Sequence, residues 1–459
     1  MQEDRTRELE TKGIGALLLM YALPSVVTQI ISSVYNICDR IFIGQGVGAL
    51  AIAGLAITMP VMNIIHAFGA LIGVGAGARM SIVLGKKDVN WAENILGNSF
   101  IFTIVLSGLV MIFSYIFLDD ILMEFGATDN TVAYAHEYMV IVLPGMFLTT
   151  MAFNLTSLIR ASGYPTKSML ILGSGALLNI ALDAIFIFVF KWGIAGAAWA
   201  TTISMAFATV LAGLHFLRRN SFIRFRRHGF QPKGYIFKNI FMIGMSPFLM
   251  NVAAAGVVAI LNKQLIRYGG DMAVGAYGIA NSYILIMIMV ILGVCMGMQP
   301  IAGYNYGAGH PDRLKRVYVL TMKVCVILGF VTAVIGCAMP RIISMAFTND
   351  QLLLDISQMA LPYITVMTPL IAFTIVNSNF FQSIDKPWIA IVTSLSRQVI
   401  FLIPMMYLMP VIYMRLGLDS LHGVFCSCTV SDVFGAALAL VLLLTQRKVF
   451  KYTIQQSSS

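Results

Sequence analysis

Oxygen-bearing side chains stand inside long apolar runs of this 459-residue sequence. Asp39 lies in SSVYNICDRIFIG, and Asp183 lies in LLNIALDAIFIF, four residues after Asn179. Residues four apart share one face of a helix, so Asn179 and Asp183 should point the same way. Two close carboxylates in a low dielectric cannot easily both stay ionised without a cation or a shared proton. The residue types therefore predict a site for Na⁺ or H⁺.

The depths of these side chains can be compared if each apolar run is a helix. A rise of about 1.5 Å per residue places Asp39 roughly 7–8 Å inside the outer end of its run and Asp183 about 12 Å inside its own. Thr201, in GIAGAAWATT, lies roughly 10 Å from the outer end of the next run. The three side chains are therefore expected at one level.

Further polar side chains surround Asp39 in the sequence. Tyr35 and Asn36 precede Asp39 by four and three residues, which places all three on neighbouring faces of a helix. An alternative is that each Asp is satisfied separately, by water at the helix end or by the adjacent Arg40.

The second half of the chain carries different charges. Arg397 is expected roughly 15 Å from the inner end of its run, and Asp432 about 13 Å from the outer end of the next. Those depths allow a buried ion pair. A stabilising pair within that half and a contact to substrate both remain open.

The composition of the chain indicates which secondary-structure elements position these polar side chains. Hydrophobic residues make up 59% of the chain and charged residues only 11%, whereas soluble domains have about 25% charged residues. Apolar runs of about 20 residues are typical of membrane-spanning helices. Twelve such runs are predicted: 15–43, 50–78, 94–117, 133–158, 168–190, 194–217, 239–266, 276–302, 316–339, 357–382, 389–411 and 424–446.

Basic residues predict the orientation of these spans. With the amino terminus inside, 21 of the 30 Lys and Arg residues fall in inner segments and four in outer ones, and five lie in the spans. The acidic loop LDDILMEFGATDN falls outside. Positive charge collects on the cytoplasmic side of membranes, so both termini are expected in the cytoplasm.

The same sequence landmarks occur twice, about 222 positions apart. LGKKDVNWAENI at 84–95 aligns with YGAGHPDRLKRV at 306–317, and RASGYPTKSM at 160–169 aligns with QSIDKPWIAI at 382–391. Each half holds six spans, so the two repeats are parallel. We expect an all-α membrane protein with a six-helix lobe at 1–217, a basic cytoplasmic linker at 218–238 and a second six-helix lobe at 239–459.

The sequence lacks the motifs of several classes of enzyme and metal site. No Walker A, HExxH or CxxC sequence is present, and the six cysteines lie in or beside apolar runs. The glycine-rich GVGAGAR at 73–79 lies within a helical run, where small residues serve close helix packing. The sequence therefore favours a protein that is not an enzyme and has no cofactor, no metal other than Na⁺ and no nucleic-acid partner. We expect it to contact membrane lipids and to be monomeric.

Particular segments resemble the MATE multidrug and toxin extrusion family over nearly the whole chain. They are LPSVVTQIISSVYNICDRIFIGQG, RASGYPTKSM, NIALDAIFIF with GIAGAAWAT, and AGYNYGAG at 302–309. The last of these and LSRQVIFLIP at 395–404 are similar to the bacterial DinF-like branch with its MepA-type exporters. The resemblance implies an antiporter in the bacterial inner membrane that exchanges amphiphilic, often cationic compounds for H⁺ or Na⁺.

The resemblance also implies a cation site in the amino-terminal lobe. The family pattern of an Asp in span 1, Asn-x-x-x-Asp in span 5 and a Thr in span 6 matches Asp39, Asn179, Asp183 and Thr201. The family Tyr in span 1 matches Tyr35, and Asn154 in span 4 is a weaker match because its depth lies nearer the cytoplasm. A lipid-linked precursor flippase of the same superfamily and a membrane-integral transferase are the alternatives.

Overall fold

The chain folds into long α-helices joined by short turns. The structure, a computed structural model, describes residues 6–128, 131–219 and 221–451. Arg5, counted with the inner charges, and Asp129, counted in the acidic loop, lie outside the described residues. In the first half the helices are α1 (Thr6–Thr11), α2 (Ile14–Gly46), α3 (Ala49–Gly85), α4 (Val89–Ile116), α5 (Leu118–Glu124), α6 (Val132–Ala161), α7 (Pro165–Ala184) and α8 (Gly193–Leu217).

The second half repeats this plan with two breaks. The sequence predicted the first, between the runs 239–266 and 276–302, but not the second, within the run 357–382. Its helices are α9 (Gly234–Gly307), α10 (Pro311–Ala338), α11 (Pro340–Met345), α12 (Gln351–Thr365), α13 (Thr368–Ser383), α14 (Pro387–Leu395), α15 (Ile403–Arg415) and α16 (Ser420–Thr445). The 74-residue α9 is broken at Gly270, where φ is 67°. The α12–α13 pair forms one span bent by 46°.

The described helices supply the twelve predicted spans. Ten helices are long and apolar enough to cross a membrane, and the bent α12–α13 pair adds one more. Helix α9 supplies two spans because about 111 Å of helix far exceeds the roughly 30 Å hydrocarbon core of a bilayer. The predicted boundaries differ by a few residues because the helices continue past their apolar runs.

Turns between the helices preserve the repeat in backbone conformation. Left-handed residues recur 222 positions apart at three places, which are Gly48 with Gly270, Lys87 with Gly309, and Gly163 with Asp385. Glycine reaches positive φ without steric cost, and Asp does so more readily than most residues. The same turns therefore occur in both halves although their side chains differ.

Close contacts join the two halves at one end of the molecule. A Cβ added to Gly244 of α9 would lie 1.8 Å from Leu71 O of α3, and one added to Gly307 would lie 1.9 Å from Ile82 O. On α2, Ala22 Cα would lie 2.5 Å from a Cβ at Gly297. We call this end, which carries α1 and the Lys- and Arg-rich turns, the basic face. Backbone packing at these glycines closes the halves against each other there.

The linker between the halves packs against α4. The side chain of Asn98 donates to Gly229 O and Gln231 O, both at 3.0 Å, and its Oδ1 accepts from Lys233 N at 2.7 Å. Arg226 Nε lies 2.9 Å from Glu93 Oε2. The linker is therefore docked on the first half before α9 begins at Gly234.

Candidate functional site

Three of the predicted site residues form one buried group. Asn179 and Asp183 of α7 are both fully buried. In the amide orientation that satisfies both neighbours, Asn179 Nδ2 donates to Asp183 Oδ2 at 3.2 Å, and its Oδ1 accepts from Thr201 N at 3.3 Å. The opposite orientation instead brings Asn179 Nδ2 within 3.3 Å of Thr201 Oγ1. Either assignment joins α7 to α8 at Thr201.

Helix α2 adds a second carboxylate to this group. The side chain of Asp39 interacts electrostatically with Asp183, and both carboxylates interact with Tyr35, one turn before Asp39. The adjacent Arg40 points its Nη2 to Met59 Sδ at 3.1 Å. Among the described residues Arg40 forms no ion pair with Asp39. Arg40 therefore acts on Asp39 through a longer-range electrostatic interaction rather than a direct ion pair.

Both carboxylates have an oxygen without a protein donor. Oδ1 of Asp39 and Oδ1 of Asp183 are buried and have no hydrogen-bond partner within the described part of the chain. An ionised carboxylate held away from water is costly unless it is paired or protonated. The group has the chemistry of a site for a proton or an alkali cation. Carboxylate, amide and hydroxyl oxygens are suitable ligands for such a cation.

Sequence reasoning missed one member of the group, Tyr138 of α6. This tyrosine is fully buried beside Thr201 and interacts with Asp39, Asp183 and Tyr35. It lies six residues, or about 9 Å, from the start of its helix, which is the depth expected for the other members. Counting depth on every span, rather than only on spans with acids, would have found it.

A π-helical turn follows the group on α7. Residues Ile185–Val189 continue the helix with this wider hydrogen-bonding pattern, directly after Asp183 and Ala184. Such turns are frequent at functional sites, since the extra residue redirects the side chains around it. Here the turn changes the helix register at the point where Asp183 faces Asn179 and Thr201.

A cavity of about 390 Å³ adjoins the group. Tyr35 and Asn36 line it from α2, and both side chains are at least partly exposed to it. Of the described lining residues, Asn251 and Met296 come from the second half. The remaining wall residues belong to the first half: Thr28, Gln29, Ser32, His66, Gly69, Ala70, Thr149, Thr150, Ala152, Phe153, Leu172, Ala176 and Met205. Tyr35 therefore connects the carboxylate group to a space large enough for a small molecule.

Asn154 lies away from the carboxylates. Its Nδ2 donates to Thr103 Oγ1 at 2.9 Å and approaches Ser99 Oγ at 3.4 Å, both on α4. It lies 16 residues beyond Tyr138 on α6, or about 24 Å along the helix. The structure thus places Asn154 in a separate buried polar cluster toward the basic face.

The comparisons with known proteins agree with this architecture. The sequence profile of the MatE family matches residues 24–185 and 243–408, once in each half. The chain belongs to the MatE family. The two matches confirm the predicted duplication, and the resemblance stated from the sequence is confirmed with them.

Two curated relatives align with this MatE-family chain over nearly its whole length. "Multidrug export protein MepA" of Staphylococcus haemolyticus (strain JCSC1435) is 25% identical and covers 100% of this chain and 99% of its own length. The protein of that name from Staphylococcus aureus (strain MSSA476) is 27% identical, with 96% of each chain covered.

Solved structures share the fold. One described as the outward-facing conformation of a multidrug resistance MATE family transporter of the MOP superfamily has a TM-score of 0.89, with 23% identity and coverage of 97% of this chain and 98% of that chain. A MATE crystal structure in the bent conformation has a TM-score of 0.90, with 22% identity and 98% coverage of both chains. The MatE chain is thus a multi-pass membrane protein of a transporter family.

The second half of this MatE chain holds the expected ion pair. Arg397 Nη1 lies 3.3 Å from Asp432 Oδ1, and both side chains are largely buried. Arg397 lies in a π-helical segment, Ser396–Leu402, between α14 and α15. Tyr277 of α9 and Cys428 of α16 lie within electrostatic range of the pair. The pair joins two spans of the second half and has no counterpart in the carboxylate group.

A second ion pair, which sequence reasoning also missed, crosses between the halves. Arg79 Nη1 of α3 lies 2.7 Å from Asp385 Oδ2, and its Nη2 lies 3.3 Å from the Tyr235 hydroxyl. Burial raises the pKa of the Asp385 carboxyl above its ordinary value, and the Arg79 guanidinium opposes that rise. The only signal in the sequence was a lone Arg after a glycine-rich stretch. Its partner is more than 300 residues away, so spacing could not reveal the pair.

Proposed function

We propose that this chain is a secondary active exporter that exchanges amphiphilic, often cationic, drugs or metabolites for H⁺ or Na⁺. The observation that carries the proposal is the group formed by the buried Asp183 and Asn179 with the half-buried Asp39 and Thr201, beside the cavity at Tyr35. The similarity to proteins named multidrug export protein supports the substrate class.

The coupling ion acts on the packing of three spans in this proposal. A proton or Na⁺ enters from outside, binds between Asp39 and Asp183, and changes how α2, α7 and α8 contact one another at Thr201. Drug bound in the cavity is then released. The ion must bind the two states with different affinity, or it could drive nothing. One charge moving inward contributes about 2.3 kcal/mol per 100 mV of membrane potential.

The basic face is cytoplasmic in this proposal. The excess of Lys and Arg in its turns favours that orientation. The close packing of Gly244 and Gly307 at this end then corresponds to a state closed toward the cytoplasm.

The cavity disfavours a flippase for lipid-linked precursors. Such a protein has to bind pyrophosphate, which calls for Lys or Arg. The part of the cavity wall that the structure describes carries neither, and His66 is its one titratable cation. We therefore keep drug export as the proposed function.

Transport in proteoliposomes tests the proposal. Purified protein is reconstituted, and uptake or release of a fluorescent lipophilic cation is followed under an imposed pH gradient or an imposed Na⁺ gradient. Uphill movement of the dye under one of these gradients, abolished by an ionophore that collapses it, is the expected result. Dye movement that only ever runs downhill would indicate a channel and refute the proposal.

A further inference from the structure

A groove of about 660 Å³ lies on the basic face where the two halves meet. One wall is the start of α2, at Gly13, Ile14 and Gly15, and the other is the first three turns of α10. The wall on α10 comprises Asp312, Arg313, Lys315, Arg316, Val319, Leu320 and Lys323. The groove thus has four basic side chains and one acid.

Three of these cations are not neutralised by the protein. Lys315, Arg316 and Lys323 are exposed, and none of them forms an ion pair with any residue that the structure describes. Arg313 differs, because its Nη2 donates to Leu9 O at 2.9 Å and to Lys12 O at 2.8 Å. Arg313 therefore binds the backbone at α1, whereas the other three cations face the groove.

The groove leads into the apolar surface of the spans. Arg316, Val319 and Lys323 lie on one face of α10, and Ile327 and Phe330, 61% and 60% exposed, continue that face. On α2, Leu19 is 66% exposed and lies one turn beyond Gly15. Exposed apolar residues on membrane spans face lipid tails. The groove therefore has cations at the level of head groups and apolar side chains at the level of acyl chains.

We propose that this groove binds the phosphate of an anionic phospholipid from the leaflet at the basic face and so holds the two halves together there. The phosphate contacts Lys315, Arg316 and Lys323, whose long side chains reach the head-group region. The acyl chains lie along the exposed faces of α2 and α10. A phosphate free in solution shares the head-group chemistry but gains nothing from the apolar part of the groove.

Such a lipid would favour the closed basic face. A Cβ on Gly15 would lie 4.0 Å from Leu320 Cδ2, so the two walls come from different halves and are in near contact. Moving the halves apart at this end separates the walls and dismantles the groove. The lipid then binds the closed state better, which shifts the equilibrium toward that state. This conformational step rests on the proposed alternating access, whereas lipid binding at the groove does not.

Hydrogen–deuterium exchange in nanodiscs tests the proposal. The full-length protein is placed in phosphatidylcholine discs with and without a minority of phosphatidylglycerol, and exchange of the amides from residue 9 to residue 17 is compared. We expect phosphatidylglycerol to slow this exchange by about fivefold for each basic side chain that it engages. Lipid retained through purification, counted by native mass spectrometry, gives a second readout that does not depend on transport.

Matched variants identify the groove as the cause. The groove variant combines Lys315→Gln, Arg316→Gln and Lys323→Gln. The control variant removes the same charges from exposed positions outside the groove, by Arg227→Gln, Lys238→Gln and Lys448→Gln. The phosphatidylglycerol effect should be lost in the groove variant and kept in the control.

Three outcomes would overturn the proposal. They are no phosphatidylglycerol effect in the unaltered protein, an equal loss in both variants, and equal protection by soluble glycerol phosphate in phosphatidylcholine discs. The last would assign the groove to a free phosphate rather than to a lipid. Failure of dye transport in the gradient assay leaves lipid retention unchanged, so the two proposals fail separately.

Discussion

At the residue scale, the proposed function depends on two carboxylate oxygens that have no hydrogen-bond donor. Asp183 receives one hydrogen bond from Asn179, yet its Oδ1 and that of Asp39 have no partner among the described residues. Unsatisfied buried polar atoms are uncommon in folded proteins and call for an explanation. In the proposed mechanism a proton or cation binds to these oxygens and leaves again, and a permanent hydrogen-bond donor at the same place would prevent that binding.

Replacing Tyr138 with Phe should impair coupling while preserving the fold. The ring stays in place, but the hydroxyl beside Thr201 and the two carboxylates is lost. Its hydrogen bond to the Thr201 hydroxyl should contribute about 0.5–1.5 kcal/mol, so gradient-driven dye export should fall by about two- to tenfold. Tyr134→Phe, one turn earlier on α6, is the control and should keep normal export. Normal export by Tyr138→Phe would remove this tyrosine from the coupling group.

At the element scale, glycines determine how closely the helices of opposite halves approach. Gly244→Ala places a methyl group against the carbonyl of Leu71, and overpacking of this kind costs about 1–3 kcal/mol. We expect a lower melting temperature in detergent and faster hydrogen exchange at the basic face. Gly256→Ala, on the same helix with no atom within 4 Å of the added Cβ, should change neither. Equal effects of both substitutions would show that helix propensity, rather than contact between halves, is responsible.

The Arg79–Asp385 pair should couple the halves energetically. Arg79→Gln leaves the partly buried Asp385 carboxylate without its counter-charge and should destabilise the closed basic face by about 1–2 kcal/mol. The Arg79→Gln/Asp385→Asn double variant should recover most of that loss, because no unpaired charge remains. A double-mutant cycle on thermal unfolding measures the coupling. Additive losses would mean that the two side chains do not interact in solution.

The sequence predicted elements better than the contacts between them. Twelve apolar runs and a 222-residue repeat follow from local pattern, and Asp39, Asn179, Asp183 and Thr201 follow from depth along helices of known rise. Tyr138 lies at the same depth but on a span without an acid, where no depth was counted. The Arg79–Asp385 pair could not be predicted, because its two residues are more than 300 positions apart and no spacing rule connects them. The bend between α12 and α13 depends on local backbone geometry, which hydropathy does not encode.

At the scale of the whole molecule, the two halves share a backbone plan but differ in charge. Equivalent turns carry Gly163 in one half and Asp385 in the other, and the first half holds two unpaired carboxylates while the second pairs Arg397 with Asp432. A repeat with identical chemistry would respond to an ion in both lobes. Here the ion would act on one lobe, and the other would follow through the shared interface.

Orientation in the membrane can be read from cysteine accessibility. In a variant lacking the six native cysteines, Lys191→Cys should react with a membrane-impermeant maleimide on intact cells, since it precedes α8 on the face opposite the basic one. Lys448→Cys, after α16, should react only in permeabilised cells. The reverse pattern would place the basic face outside and contradict the assignment of the closed end to the cytoplasm.

The most direct test of the account is gradient-driven export by Asp183→Asn protein in proteoliposomes. The substitution keeps size and burial but removes the charge that a proton or cation must neutralise. We predict that dye export falls to the level of protein-free liposomes under either imposed gradient. Asp119→Asn, the same change at an exposed position in the first turn of α5, should export normally. Export at the unaltered rate by Asp183→Asn would contradict the central claim that this carboxylate couples the ion to transport.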